Sequence, residues 1–294
     1  MATTSDTPAP HPVTRRQLAG VTLGNALEVY DFLVFSFFAV QIGATFFPAD
    51  DPTASLLATL ATFGAGFLAR PLGAIVIGRL ADRIGRRPTM VLAFALIGVA
   101  SLGLALTPSH AAIGTAAPVL AILFRLLQGF ALGGEIGAST AFLAEAAPPA
   151  HRGRWIALQY VGQGAAVIVA GVVGVALAAV MDAGELTRTG WRIAMGLGVL
   201  TVPIGLALRR DLPETLHAAT AQAPVPPLRA YRRIAAFTFL TTVFGTIATY
   251  VTNYLSTYAQ ATLALPASVS FGATVAVGLG ATLGAIAAGE LCDR

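Results

Sequence analysis

The chain has no lysine at all, and its 18 cationic residues are every one arginine. A Walker-type phosphate loop needs a lysine to reach the nucleotide phosphates, so this chain alone cannot be an ATP-driven pump. Cysteine is almost as scarce: Cys292 by itself excludes an intrachain disulfide and a cysteine zinc site. The four histidines, at 11, 110, 151 and 217, fall in tails or loops without metal-ligand spacing. There is no G-x-S-x-G elbow and no H-E-x-x-H pair, so neither an enzyme class nor a cofactor is indicated. Charge is the largest deficit. Charged residues make up 11% of 294, hydrophobic ones 56%, and the mean hydropathy is +0.75. Soluble domains carry about 25% charged residues. With so little polar material to face water, the composition specifies an all-α membrane protein that crosses the bilayer repeatedly.

Apolar runs matching the roughly 20 residues needed to cross the hydrocarbon layer recur at about 18–47, 54–78, 88–107, 113–145, 155–181, 191–208, 234–260 and 267–290. Eight spans are expected, the longest of them tilted or reaching into water. Pro48, Pro52, Pro88, Pro108, Pro213 and Pro266 lie at or near the boundaries, where a missing N–H costs least. With the N-terminus inside, 14 arginines occupy cytoplasmic segments, whereas the opposite loops hold only Arg188 and Arg192. Arg70 and Arg125 lie within spans. This bias predicts a multi-pass protein of a bacterial-type inner membrane with both termini cytoplasmic, its first partner being the lipid bilayer. It also accounts for the net charge of +4 without a nucleic-acid partner. Arg15-Arg16 resembles a twin-arginine signal, but the apolar run that follows is too long for a signal core, contains acids and lacks a cleavage site.

Four segments follow from this pass: a polar tail at 1–17, a six-span bundle at 18–208, a linker at 209–233 containing "APVPP", and a partial second bundle at 234–294. "GRLADRIGRR" (78–87) closes the second span and "GELCDR" (289–294) closes the eighth, displaced by 211 residues. A repeat of that period places six spans in each half.

The first of those loops, Gly78-x-Leu80-Ala81-Asp82-Arg83-x-Gly85-Arg86-Arg87, resembles the signature between helices 2 and 3 of the major facilitator superfamily. "RLLQG" (125–129), "E-A-A-P-x-x-x-R-G" from Glu145 to Gly153, and "LPET" (212–215) follow in the family's order. "GNALEVYDF" in helix 1, "FLARPLGAIVIGRLADRIGRR" in helix 2 and "RLLQGFALGGEIGAS" in helix 4 resemble the metabolite–proton symporters of that superfamily, above all those for citrate and tricarballylate. Helix 5 lacks the Gly-Pro-x-x-Gly-Gly element of drug–proton antiporters, which favours symport over multidrug efflux. The resemblance implies a major facilitator fold, here an N-terminal six-helix bundle plus the first two helices of the C-terminal bundle, with a central cavity and alternating access. It also implies a cytoplasmic latch built from Gly78, Asp82, Arg83, Gly85, Arg86 and Arg87, with Glu145 and Arg152 as a second gating pair. The expected helices 9–12 are absent, so the chain is expected to be truncated and transport-incompetent alone, with a complementary C-terminal fragment as a candidate partner.

The candidate site is the set of polar groups at membrane depth. A charge at mid-bilayer costs about 2.5–3.5 kcal/mol on insertion scales, so it should face a cavity or a partner. Glu28 and Asp31 lie about 15–20 Å into the first span, on one helical face by their i, i+3 spacing. Arg125 lies at comparable depth in span 4, and Arg70 about 18 Å before Asp82 in span 2. The functional expectation is that Arg70 and Arg125 hold an anion, because a guanidinium matches a carboxylate bidentately. Glu28, Asp31 or Glu135 would then carry the proton. The bland alternative is an acid–arginine pair that merely ties helices. Asn25 and Tyr30 in helix 1, Gln128 in helix 4, Gln159 and Gln163 in helix 5, and Tyr250, Asn253 and Tyr254 in helix 7 are further candidates for the substrate wall. Amides cross-link helices as readily as they hold ligands, and an interfacial tyrosine belt is the alternative at Tyr258. The expected function is proton-coupled import of a small organic anion, a di- or tricarboxylate such as citrate. The rivals are a zwitterion or sugar-acid symporter (betaine, proline, shikimate) and a non-transporting membrane fragment.

Overall fold

In the computed structural model, residues 14–133, 140, 143–144, 147–210 and 232–294 are described, and among them there are helices and turns but no strand. Nine helices of eight or more residues carry the described fold. They are α1 (Arg15–Phe37), α2 (Ala39–Phe46), α3 (Pro52–Ile84), α4 (Arg86–Leu106), α5 (Ala116–Gly133), α6 (Arg152–Val180), α7 (Trp191–Arg210), α8 (Arg232–Ala261) and α9 (Ala267–Cys292). Seven described helical stretches are long and apolar enough to cross a membrane. The twenty-residue α7 occupies the place of the sixth expected span. The all-α membrane architecture expected from composition is what the chain adopts.

Local chemistry sets several boundaries. Asp51 accepts a hydrogen bond from the Thr53 N–H and Pro52 opens α3, a capped start of the usual kind. Gly85 separates α3 from α4 at φ +101°, a conformation L side chains rarely adopt. Pro266 caps α9. One expectation needs correction. The first span is not one helix: it breaks at Phe38 into α1 and α2. The run is longer than a bilayer needs, and the buried Phe38 ring turns to pack on Phe271 of α9, centroids 4.7 Å apart. Two prolines outside the boundary set, Pro71 and Pro203, lie inside α3 and α7. Neighbouring helices in a membrane bundle can accommodate the backbone groups such prolines free. The tail at 1–13 and linker residues 211–231 lie outside the described residues.

Small residues let the helices approach closely, as is usual where lipid supplies no hydrophobic drive between them. Along α3 and α5 the backbones almost touch: a Cβ at Gly129 would sit 1.8 Å from the Gly66 carbonyl oxygen, and one at Gly73 would sit 1.8 Å from that of Phe130. The second long seam joins α6 to α9 in antiparallel fashion, with Gly153 against Gly289 at one end and Gly174 against Phe271 at the other. The first half of α8, Arg232–Thr249, is exposed throughout and carries Phe237, Phe239, Leu240 and Phe244 outward, surface suited to acyl chains.

The α3–α5 seam yields a test. Gly129→Ala should lower the apparent melting temperature in detergent by several degrees, because backbone cannot give way as a flexible side chain can. Gly280→Ala, where nothing lies within 4 Å of the added carbon, should be neutral or slightly stabilising through helix propensity. Equal effects at the two positions would refute the backbone-contact account.

Candidate functional site

The α3–α5 seam brings Arg70 and Arg125 to one aromatic ring. The Arg70 guanidinium carbon lies 4.5 Å from the Phe32 centroid and that of Arg125 lies 4.3 Å from it. Arg125 is fully buried and also stacks on Phe35 at 4.4 Å and Phe63 at 4.8 Å. Arg70 lies 4.2 Å over Phe67. A desolvated cation over an aromatic face gains about 2 kcal/mol or more, so this cage supports charges that hydrocarbon would expel. Tyr250 of α8 closes it, packing edge-on against Phe67 (4.9 Å) and Phe63 (5.9 Å). Helix α8 thereby touches the residues that hold both arginines.

Polar satisfaction is incomplete. Arg125 Nη1 donates to Gln128 Oε1 at 2.6 Å and, more weakly, to the Phe32 carbonyl at 3.4 Å. Its Nε and Nη2, and Nε of Arg70, are buried without a hydrogen-bond acceptor. Asp31 sits beyond Gln128. Its Oδ2 accepts from Gln128 Nε2 at 2.7 Å and from the Ser101 hydroxyl, while Gln128 Nε2 also reaches Ser101 Oγ at 2.7 Å. Asp31 Oδ1 has no hydrogen-bond partner and faces α7, where a Cβ at Gly198 would come within 2.6 Å of it.

The other candidates read from the sequence fall in different places. Glu28 and Asn25 are buried on α1. Tyr30 spends its hydroxyl on the Ala194 carbonyl, 3.0 Å away, and so ties α1 to α7. Gln159 accepts from Thr140 at 2.8 Å, and Gln163 is half-buried on the same helix. Asn253 is buried in α8, whereas Tyr254 pairs with Tyr258 at 6.5 Å and not with Tyr250. Glu135 and Glu145 lie outside the described residues, as do the side chains of Asp82, Arg86 and Arg87. Arg83 and Arg152 are exposed. Of the latch glycines, Gly85 sits at positive φ, and a Cβ at Gly78 would meet nothing within 4 Å. Among the described residues no cluster could hold a metal ion.

Contacts at the two ends of the bundle were missing from the expectation. At the end where α6 begins, Asp293 accepts from the Gly153 N–H (2.6 Å) and the Arg154 N–H (3.0 Å), so a carboxylate after α9 caps the start of α6. The echo of the 78–87 loop at 289–294 was the available signal. At the other end Gln41 Nε2 donates to Gln260 Oε1 at 2.9 Å, and Thr257 donates to the Ser36 carbonyl at 3.1 Å. Ser101 and the caging phenylalanines carried no signal above the apolar background.

The Major Facilitator Superfamily model matches residues 21–294. The chain belongs to that superfamily. Among curated proteins it is 41% identical over 246 residues to the citrate-proton symporter of Salmonella typhi, covering 80% of this chain and 56% of that protein. It is 36% identical over 264 residues to the alpha-ketoglutarate permease of Escherichia coli K12, covering 86% and 61%. The proline/betaine transporter of Salmonella typhimurium matches at 37% over 204 residues, covering 68% and 40%. These relatives are transporters, not enzymes, and the chain spans about half the length of each. The partially occluded, inward-open xylose transporter XylE from E. coli shares the fold at TM-score 0.63 and 18% identity, covering 92% of this chain and 69% of that one. The resemblance to citrate–proton symporters expected from the motifs is thus met.

Gly198 gives the site its own test. Gly198→Ala forces the new methyl against Asp31 Oδ1, and should destabilise the protein by about 1–3 kcal/mol through overpacking. In the Asp31→Ala background the clash has no counterpart and the cost should vanish, as thermal unfolding of the single and double variants in detergent would measure. Equal costs in both backgrounds would place the strain elsewhere.

Proposed function

We propose that this chain belongs to a proton-coupled symporter importing a small organic anion, with a di- or tricarboxylate such as citrate the favoured substrate. One observation carries the reading: two guanidiniums share the Phe32 ring at membrane depth while three of their N–H-bearing nitrogens lack acceptors. Each such buried charged donor left unmade costs roughly 1–3 kcal/mol or more, and carboxylate oxygens are the acceptors that relieve it. Two adjacent cations favour an anion with more than one carboxylate. Arg70 and Arg125 would hold it, with Tyr250 and Asn253 on the opposing wall. Asp31 would carry the proton, with Glu28 as second acid. The relatives that are a citrate-proton symporter and an alpha-ketoglutarate permease support this class.

The zwitterion reading rests on the proline/betaine relatives. The geometry favours it less, since the ring faces that would attract a quaternary ammonium already carry guanidiniums. In the same proposal the chain sits in a bacterial inner membrane with both termini cytoplasmic, divides at 209–233 into an N-terminal bundle and a segment carrying α8 and α9, and works by alternating access. Asp293 on the start of α6 and the Gln41–Gln260 pair would latch the two sides.

A thermal-shift panel on the purified chain tests the substrate class. Citrate should raise the melting temperature more than betaine or proline, since only a bound ligand stabilises, and Arg125→Ala should abolish the rise. A rise with betaine and none with citrate would overturn the carboxylate assignment.

A further inference from the structure

Gln128 occupies a position that neither anion binding nor proton carriage by itself requires. It stands between the buried acid and the buried cation, and its amide is fully used: Oε1 accepts from Arg125 Nη1, while Nε2 donates to Asp31 Oδ2 and Ser101 Oγ. A flipped amide would set N–H against guanidinium and carbonyl against carboxylate, two repulsive contacts in place of two attractive ones. The opposite charges on Asp31 and Arg125 therefore fix the orientation of the amide, and the amide in turn supplies the side-chain acceptor that Arg125 has among the described residues.

We infer that Gln128 is a positioning residue that transmits the charge state of Asp31 to Arg125, holding Nη1 of Arg125 back from substrate until Asp31 is protonated. The inference rests on the reading of Asp31 as proton carrier and Arg125 as anion holder. A proton arriving from solution bonds to a carboxylate oxygen of Asp31 and removes the negative charge that orients the amide. On Oδ2 it makes that oxygen a donor facing two donors, Ser101 and Gln128, and one of these bonds must break. On Oδ1, which has no hydrogen-bond partner, it leaves both bonds neutral and weaker. Either way Gln128 can turn, and Nη1 joins Nε and Nη2 of Arg125 as a donor open to an anion.

Among the described residues, the titratable or charged groups on the elements around this link are Tyr30 and the buried Glu28 on α1, Arg70 on α3, Arg125 itself on α5 and Tyr250 on α8. The facing residues of α4 and α7 are Ser101 and Gly198, which do not titrate; Arg192 of α7 is engaged on the Ala105 carbonyl at 2.5 Å. Asp31 is thus the acid hydrogen-bonded to the amide, and Arg125 the cation.

A double-mutant cycle read by infrared spectroscopy tests the link without requiring transport. The protonated-carboxyl band of Asp31, assigned by its loss in Asp31→Asn, is titrated in the full chain in nanodiscs. Arg125→Gln should displace the midpoint, and in the Gln128→Leu background that displacement should shrink by at least half. Gln128→Met, which keeps length and flexibility without the amide, serves where the leucine variant does not fold. Ser101→Ala, which leaves the amide bridge intact, should keep most of the displacement. An unchanged displacement in both Gln128 variants would overturn the inference and leave Gln128 a simple tie between helices. Citrate binding to the same proteins is measured in parallel. Its absence in the wild type would reject the substrate reading, while the cycle still decides whether the amide couples the two charges.

Discussion

Everything in this structure answers to the difficulty of keeping a guanidinium where water is excluded. Arginine does not shed its proton, so Arg125, with no exposed surface, must be stabilised as a cation. Three aromatic faces do most of that, at about 2 kcal/mol apiece when desolvated, against about 2.5–3.5 kcal/mol for insertion at mid-bilayer. The gain exceeds that cost, which keeps the charge in place. Rings, however, satisfy charge and not hydrogen-bonding direction. That division leaves N–H groups unmet beside a stable cation, which is what a reversible anion site requires.

The cage depends in turn on backbone contact. Because Gly66, Gly73 and Gly129 let α3 and α5 touch, Arg70 and Arg125 reach the same Phe32 ring from different helices. A bulkier seam would separate the helices and divide the site. The phenylalanines extend the connection outward: Phe63 and Phe67 contact both the arginines and Tyr250. Any displacement of α8 against α3 must therefore repack the rings under the cations. In the proposed cycle this joins the movement of one half to the electrostatics of the other, through contacts and not through distance alone.

How much of this was legible depended on contrast with the background. Arg70, Arg125, Glu28 and Asp31 stood out because charge in an apolar run has few explanations, and three of those four meet around Phe32 and Gln128. Tyr250 stood out by helical spacing. Phe32, Phe63 and Phe67 could not, since phenylalanine in a membrane span is ordinary until a cation is found against it. Ser101 was equally silent, as a small polar residue in a span more often bonds its own helix backbone, as Thr59 and Thr62 do here. Gln128 was legible as a polar residue but not in its direction. Spacing places it on a face, and only packing decides that the face meets Asp31. The break at Phe38 and the cap at Asp293 depend on α9, which is distant in sequence, and no local pattern contains that information.

The amide between acid and arginine also explains why the two charges are not in direct contact. Opposite charges attract as the inverse of distance, and a bare pair in a low-dielectric interior is strongly held. Breaking a buried pair by removing one partner typically costs about 3–5 kcal/mol. A direct bidentate Asp31–Arg125 bridge would occupy the very N–H groups an incoming carboxylate needs, and substrate would have to compete with it on every cycle. Gln128 lengthens the separation by one side chain, keeps the charges in electrostatic register, and takes up a single nitrogen of the guanidinium. The remaining donors stay open. In the proposed cycle, a neutral spacer thus turns a structural ion pair into one that a proton can loosen, and the orientation of a single amide would be the physical difference between the closed and the receptive arginine.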